Sequence, residues 1–481
     1  MGPRSQSHRV NDRPWPPPGP HPGCAAQVEA TSREPPVAAG EGVMPTTPGS
    51  KSTSASYVPG AQARHPRTHT WRARPVTWRT YLRAVGPGLV AGASDTDPTT
   101  VATIAVIGAD TAYGMGWCVL LLFPVIVVIQ SVATRVGMAS RLDLQEAVTA
   151  IYRPALGRLL LGSILLVNIV TVAADLEAGA TALGLLTSQD WHWFAAPLSL
   201  VLLAAVMLLG YHVLQRAMKY LLLALLAYAV AAVLAHPDWA AVARGSLIPH
   251  LHWSQDFLFN VLSLIGTTAT SYVYVWQTIS QSEEKLPWRW HRVRQFDALA
   301  GSLFATLVFW FILVATGATL GVRGLRINTA QDAAQSLRPV AGAWASDVFA
   351  LGLLASALVA LPVIMATTAY VTGAHLNWRR GLSLRPREAP KFFAAMGASV
   401  AAGLAATYAD LSPIQLLYWV GVAGAIGTPV GLVMLLRVAS HPGLMNGRVL
   451  GVPMKAAGWA ITTVITTVSA LGLYQLITTG P

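Results

Sequence analysis

Apolar residues from Tyr81 onward fall into long segments that short polar stretches separate. The segments have about 17 to 31 residues, enough for a helix to cross the hydrocarbon core of a bilayer. The pattern therefore predicts an all-α membrane protein with eleven transmembrane helices. The predicted limits are about 83–108, 112–134, 158–186, 195–211, 217–236, 256–281, 295–321, 344–374, 391–408, 412–437 and 457–478.

The first segment contains two carboxylates, Asp95 and Asp97, followed directly by Pro98. An ionised Asp at bilayer depth costs about 2.5–3.5 kcal/mol, so such a residue usually faces a partner or a water-filled pathway. A proline in mid-helix removes a backbone donor and clashes with the preceding turn. We therefore expect a helix break at Pro98, with a cation site at the break. The alternative is a simple kink near an exposed helix end.

The sixth segment has a second unusual stretch, residues 265–277. Gly266, a run of small residues that ends at Ser271, and clustered hydroxyls lower helical stability there. Breaks in segments one and six are typical of two inverted five-helix repeats with a binding site between them. Small residues at close helix contacts give the same pattern.

The third segment adds Asp175 and Glu177, which point to different sides of a helix because they are two residues apart. We expect Asp175 to line the pathway, and the sequence leaves open whether Glu177 approaches the ion. Asp95 either attracts cations or supports the ligands.

Composition agrees with a membrane protein: 53% of the 481 residues are hydrophobic, 11% are charged and the mean hydropathy is +0.49. Soluble domains have about 25% charged residues. The net charge of +12 is explained by basic loops that set membrane orientation, so nucleic acid is not an expected partner. The lipid bilayer and the transported ion are the expected partners, and the sequence does not specify an oligomeric state.

Residues 1–78 are rich in Pro, Gly, Ser and Arg and predict a disordered cytoplasmic tail. The transporter domain is predicted at 79–481, with repeats at about 83–236 and 256–437 and an extra helix at about 457–478. Lys and Arg concentrate in alternate loops, which predicts a multi-pass protein of the cell (inner) membrane with its N-terminus inside and its C-terminus outside.

Several short motifs together resemble the Nramp family of divalent-metal transporters. They are Gly86-Pro87-Gly88 leading to Asp97-Pro98, residues 109–114, Gln130, Arg135-Val136-Gly137 and Ala174-Asp175-Leu176. The resemblance runs from about residue 80 to 437 or beyond. It implies a LeuT-like fold with broken helices 1 and 6 and a divalent metal bound between them.

The chain departs from the family pattern at the ligands. The first-helix motif Asp-Pro-Gly-Asn reads Asp97-Pro98-Thr99-Thr100, and the sixth-helix methionine position is Thr270. The resemblance places the metal ligands at Asp97, Thr100, Thr267 and Thr270. All offer oxygen, which suits hard cations, and Mg²⁺ retains several waters that small side chains leave room for. The motifs are closest to the Nramp-related magnesium transporters.

Proton coupling is also in question, because the family's sixth-helix histidine is Tyr272 here and the acidic position three after Asp175 is Ala178. Tyr272 and Gln277 are expected to line the pathway or support the ligands.

The sequence thus predicts a secondary transporter of Mg²⁺, also accepting Mn²⁺, without proton coupling and without a permanently bound cofactor. The alternative is a proton-coupled Mn²⁺/Fe²⁺ importer of the Nramp type. A membrane-embedded metal-binding protein or enzyme is remote, since no HExxH or GxSxG motif is present.

Overall fold

The computed structural model describes residues 86–251, 254–268, 270–325, 327, 332–334, 343–409 and 413–479. The predicted tail at 1–78 lies outside the described residues. Helices account for nearly all of the described chain, and no strand occurs in it. The helices are α1 (Pro87–Ser94), α2 (Pro98–Thr111), α3 (Gly116–Ser140), α4 (Leu144–Ile151), α5 (Pro154–Thr187), α6 (His192–Leu225), α7 (Ala227–Leu234), α8 (Trp239–Leu247), α9 (Gln255–Thr268), α10 (Ser271–Glu284), α11 (His291–Thr319), α12 (Ala343–His375), α13 (Pro390–Thr407), α14 (Pro413–Ala439) and α15 (Val452–Thr479).

The predicted count of eleven spans is not confirmed as such, because eight helical stretches of the described chain are long and apolar enough to cross a membrane. Two differences have a clear physical reason. The first predicted segment is divided into α1 and α2, each too short to qualify alone. Segments four and five form one stretch from His192 to Leu234, with non-helical backbone at Gly210 (φ 67°, ψ 162°) marking the junction.

Helix α12 forms the centre of the bundle, and 78% of its most apolar window is buried. The stretch His192–Leu234 and α15 are at the periphery, with 28% of the corresponding window buried. Large apolar side chains such as Leu200, Leu208 and Leu471 are exposed there. In a membrane protein these side chains face lipid, so the exposed band fits a bundle embedded in a bilayer.

Helix α11 packs along both halves of the interrupted first span. A Cβ atom on Gly92 of α1 would lie 2.3 Å from the Gly301 carbonyl oxygen, and one on Gly301 would lie 2.1 Å from the Gly88 carbonyl oxygen. Farther along α11, a Cβ atom on Gly317 would lie 2.6 Å from the carbonyl oxygen of Ala112, just beyond α2. Glycine is required at these contacts because backbone meets backbone, as is common between membrane helices.

The short helix α4 is fixed by a group of charged side chains. Asp143 and Glu146 form a capping box, and the Arg380 guanidinium forms ion pairs with both carboxylates. Burial, together with the nearby Glu146 carboxylate, raises the pKa of Asp143 to about 7, although Arg380 acts in the opposite direction. The folded state therefore binds a proton at Asp143 that the unfolded state releases near pH 4, so this group lowers stability as pH rises from about 4 to 7.

We expect Arg380→Gln to destabilise the protein by about 1.5–3 kcal/mol at pH 8 and by less at pH 5. At pH 8 the substitution leaves the Asp143 carboxylate without its compensating cation, whereas protonation relieves this at pH 5. Denaturant unfolding of the detergent-solubilised protein at both pH values measures the difference. Arg387→Gln, at an exposed position of the same loop, is the control. An equal loss of stability at both pH values would contradict the assignment.

Candidate metal-binding site

The first span breaks over three residues between Ser94 and Pro98. Asp97 caps the N-terminus of α2, where its Oδ1 accepts hydrogen bonds from the Thr100 amide (2.8 Å) and the Thr99 hydroxyl (2.9 Å). Pro98 occupies the first turn of α2, the position where its missing amide proton costs nothing. The break thus forms where the carboxylate-proline pair predicts it.

The second break lies between Thr268, the last residue of α9, and Ser271, the first of α10. Gly266, predicted to be part of this break, lies instead inside α9. A Cβ atom on Gly424 of α14 would approach the Gly266 carbonyl oxygen to 2.6 Å. Gly424 is therefore the glycine that close packing of α14 against α9 requires, whereas a Cβ atom on Gly266 itself would lie 3.8 Å from the Gly421 carbonyl oxygen, an ordinary contact distance.

Side chains join the two breaks directly. The Tyr272 hydroxyl of α10 lies 2.7 Å from Asp97 Oδ2 and 2.6 Å from the Ser94 carbonyl oxygen, so its single proton serves two acceptors. The Thr100 hydroxyl donates to the Thr267 carbonyl oxygen, one of the carbonyls that the end of α9 leaves free (2.9 Å). Three of the four predicted ligands, Asp97, Thr100 and Thr267, are thereby brought together and hydrogen-bonded around the junction.

Asp175 reaches the same junction from α5. Its Oδ1 accepts a hydrogen bond from the Thr99 amide (3.3 Å), and its Oδ2 accepts none from the described residues. Asp95, Asp97 and Asp175 are each at most 1% exposed, and no described Lys, Arg or His forms an ion pair with any of them. Buried carboxylates without a cation are costly, so this junction favours a positive ion.

Two predicted pathway residues lie farther away. Glu177 is buried on α5 and interacts electrostatically with His192, at the start of α6. Gln277 lies almost two turns into α10, where its Nε2 donates to the Thr134 hydroxyl of α3 (2.7 Å). Within the described part of the chain, neither is hydrogen-bonded to the residues of the two breaks.

A small cavity of about 10 Å³ lies beside the breaks. Its polar lining comes from Asp95, Gln130, Thr268 and Thr270. Gln130, on α3, was noted in the sequence only as part of a motif, although a buried amide within an apolar span is itself a signal. No group of three or more His, Cys, Asp and Glu in the described residues is arranged to hold a metal. Neutral oxygens must therefore supply much of any coordination.

Asp297, in the first turns of α11, is a further buried carboxylate that was not predicted from the sequence. Its carboxylate accepts hydrogen bonds from the amides of Gly86 (2.8 Å), Gly88 (2.8 Å) and Leu89 (3.1 Å), and from Arg294 (3.2 Å). These amides are the unpaired donors at the start of α1. The sequence does show an acidic residue at the beginning of an apolar span. It does not show the hydrogen-bond partner, because Gly86 is more than two hundred positions away.

The family model described as "Natural resistance-associated macrophage protein-like", Nramp, matches residues 88–475. The chain belongs to the Nramp family. A divalent metal cation transporter, MntH, from Deinococcus radiodurans is 27% identical over 419 residues, which are 84% of this chain and 92% of the relative.

Solved structures show the fold of this Nramp protein. The Eremococcus coleocola manganese transporter superposes with a TM-score of 0.63 at 19% identity, covering 87% of this chain and 91% of that one. Mhp1, a nucleobase-cation-symport-1 family transporter, superposes with a TM-score of 0.54 at 11% identity, covering 81% and 89%. The predicted LeuT-like fold is confirmed.

Family membership also confirms the prediction of a membrane transporter and not an enzyme. The metal is cargo and not a resident cofactor, as the sequence analysis expected.

Proposed function

We propose that this protein carries divalent metal cations across the cell membrane and binds them at the junction of the two helix breaks. The observation that carries the proposal is that three buried carboxylates lie at or beside the first break, which Thr100 and Tyr272 join to the second, with no described cation to compensate them. Such a junction is how many transporters bind a cation at the bilayer midplane. Asp97 and Thr270 are the proposed ligands, and Thr100 and Thr267 support them by joining the breaks.

Mn²⁺ is the cation that the comparisons favour, since the superposed relative from Eremococcus coleocola is a manganese transporter. The prediction of Mg²⁺ as the preferred cation finds no support among the relatives. Mg²⁺ is a second candidate for the transported cation, because carboxylate, hydroxyl and carbonyl oxygens suit both ions. Among the described residues no methionine sulfur lines the cavity, so selection between the two ions rests on geometry and hydration.

The prediction of transport without protons is likewise unsupported, and the alternative of an Nramp-type proton-coupled importer fits the comparisons better. Asp175 supports this alternative. It lies beside the first break with one carboxylate oxygen that no described donor occupies, so it can exchange a proton as the cation binds or leaves. We propose the N-terminus inside and the C-terminus outside, on the basis of the loop charges.

Uptake into liposomes containing the purified protein tests the function. We expect Mn²⁺ to enter down its gradient and an internal pH dye to report acidification. Asp175→Asn should keep Mn²⁺ entry measurable while reducing the proton signal, because it removes the exchangeable group and retains its shape.

Mg²⁺ entry without acidification would restore the sequence-based prediction of cargo and coupling. Absence of any divalent cation uptake would overturn the proposed function. Asp190→Asn, at an exposed position between α5 and α6, is the matched control and should behave as the unmodified protein.

A further inference from the structure

Three side chains that line the cavity beside the breaks each have an oxygen with no hydrogen-bond donor among the described residues. The oxygens are Asp95 Oδ1, Gln130 Oε1 and Thr270 Oγ1. Their side chains are 1%, 2% and 1% exposed, respectively. A buried acceptor without a partner typically costs about 1–3 kcal/mol, and a buried charge costs more. Three such groups in one cavity indicate a shared ligand.

The three oxygens come from three separate elements: the first break, helix α3 and the second break. The apolar lining includes Ile126 and Ile129 of α3. The cavity volume of about 10 Å³ corresponds to roughly one small ion or one water molecule. The space thus suits a single compact ligand held between elements.

The negative charge of the site favours a cation as the ligand. Asp95 contributes a carboxylate, and the Asp97 carboxylate interacts with it electrostatically. No described Lys, Arg or His pairs with Asp95. One carboxylate with an amide oxygen and a hydroxyl is an all-oxygen set of the kind that hard divalent cations prefer.

Asp97 is differently placed. Its Oδ1 accepts from Thr99 and Thr100, and its Oδ2 lies at hydrogen-bonding distance from Tyr272. Both Asp97 oxygens thus already accept hydrogen bonds, whereas Asp95, which lines the cavity, has an oxygen that no described donor reaches.

We infer that Asp95, Gln130 and Thr270 together bind a divalent cation, so that helix α3 contributes to the site alongside the two broken spans. This inference rests on the proposed function, because it names where the transported cation is held. It adds Gln130 as a ligand and assigns direct contact to Asp95, where the sequence suggested attraction or support.

Titration calorimetry with Mn²⁺ on the purified protein in nanodiscs tests the inference. Asp95→Asn should weaken binding at least tenfold, because a carboxylate is replaced by a neutral amide of the same shape. Thr270→Val should weaken it severalfold, since it removes the hydroxyl oxygen and keeps the branched shape. Gln130→Glu should tighten binding, because it adds a second carboxylate to the same cavity. Asp190→Asn is the control, with unchanged affinity.

Unchanged affinity in Asp95→Asn, in a protein that still takes up Mn²⁺, would overturn the inference and leave the proposed function intact; the cavity then holds only water. If Asp95→Asn does not fold, the other two variants decide, and unchanged affinity in both would overturn it. A wild-type protein that neither binds nor takes up Mn²⁺ or Mg²⁺ would overturn the proposed function as well.

Discussion

Replacing Asp97 with Ala is expected to reduce divalent cation uptake to the background of protein-free liposomes. The substitution removes a buried negative charge at the junction of the breaks, the cap of α2 and the acceptor of the Tyr272 hydroxyl. Loss of an N-cap alone costs about 1 kcal/mol, so the protein should still fold. The measurement is Mn²⁺ uptake at matched protein content, with unfolding followed in parallel.

Asp97→Asn removes the negative charge of the side chain but keeps the N-cap of α2. An Asn oxygen still accepts from the Thr100 amide, and Asn is as good an N-cap as Asp. We therefore expect Asp97→Asn to keep near-wild-type stability and still lose uptake. Full uptake by this variant would show that only the cap matters, and would contradict a cation-compensating role for the Asp97 charge.

The second large effect is expected at Asp297, where substitution by Ala should destabilise the protein by about 3–5 kcal/mol. Asp297 is fully buried and its carboxylate accepts from three amides at the start of α1 as well as from Arg294. The Ala variant leaves those donors without their acceptor and removes the partner of a buried guanidinium. Hydrogen exchange across Pro87–Ser94 should accelerate, because α1 loses its attachment to α11.

Asp297→Asn provides the matched comparison. Its oxygen can still accept from Gly86 and Leu89, but its amide group faces the Gly88 amide, where two donors cannot pair. We expect an intermediate loss of stability. If exchange in α1 is unchanged in Asp297→Ala, the carboxylate does not hold this helix.

The sequence predicts the class of fold because lipid imposes simple rules on it. The length of the apolar segments predicts the spans. Asp97-Pro98 predicts the first break, since the proline ends one helix and the Asp97 carboxylate caps the next. The second break was predicted within a few residues. Gly266 was assigned to it wrongly, because a glycine at a helix break and a glycine inside an intact helix look identical in one sequence.

Contacts between distant parts of the chain could not be predicted in the same way. The pairing of Asp297 with the first residues of α1, and of Thr100 with the Thr267 carbonyl oxygen, depends on how whole helices pack. Hydropathy also does not show which of the two neighbouring carboxylates, Asp95 or Asp97, already accepts hydrogen bonds from other residues. In the structure Asp97 accepts hydrogen bonds from three donors, whereas Asp95, which lines a cavity with Gln130 and Thr270, has an oxygen that no described donor reaches.

The glycine contacts of α11 bear on how the protein changes state. Both halves of the first span rest against this one helix, and α1 does so with interatomic spaces that admit no side chain. Close-packed backbones cannot slide by small amounts without collision, and the Asp297 hydrogen bonds are lost together once α1 lifts. We therefore expect movement of α1 away from α11 to occur as a discrete step and not as a gradual tilt.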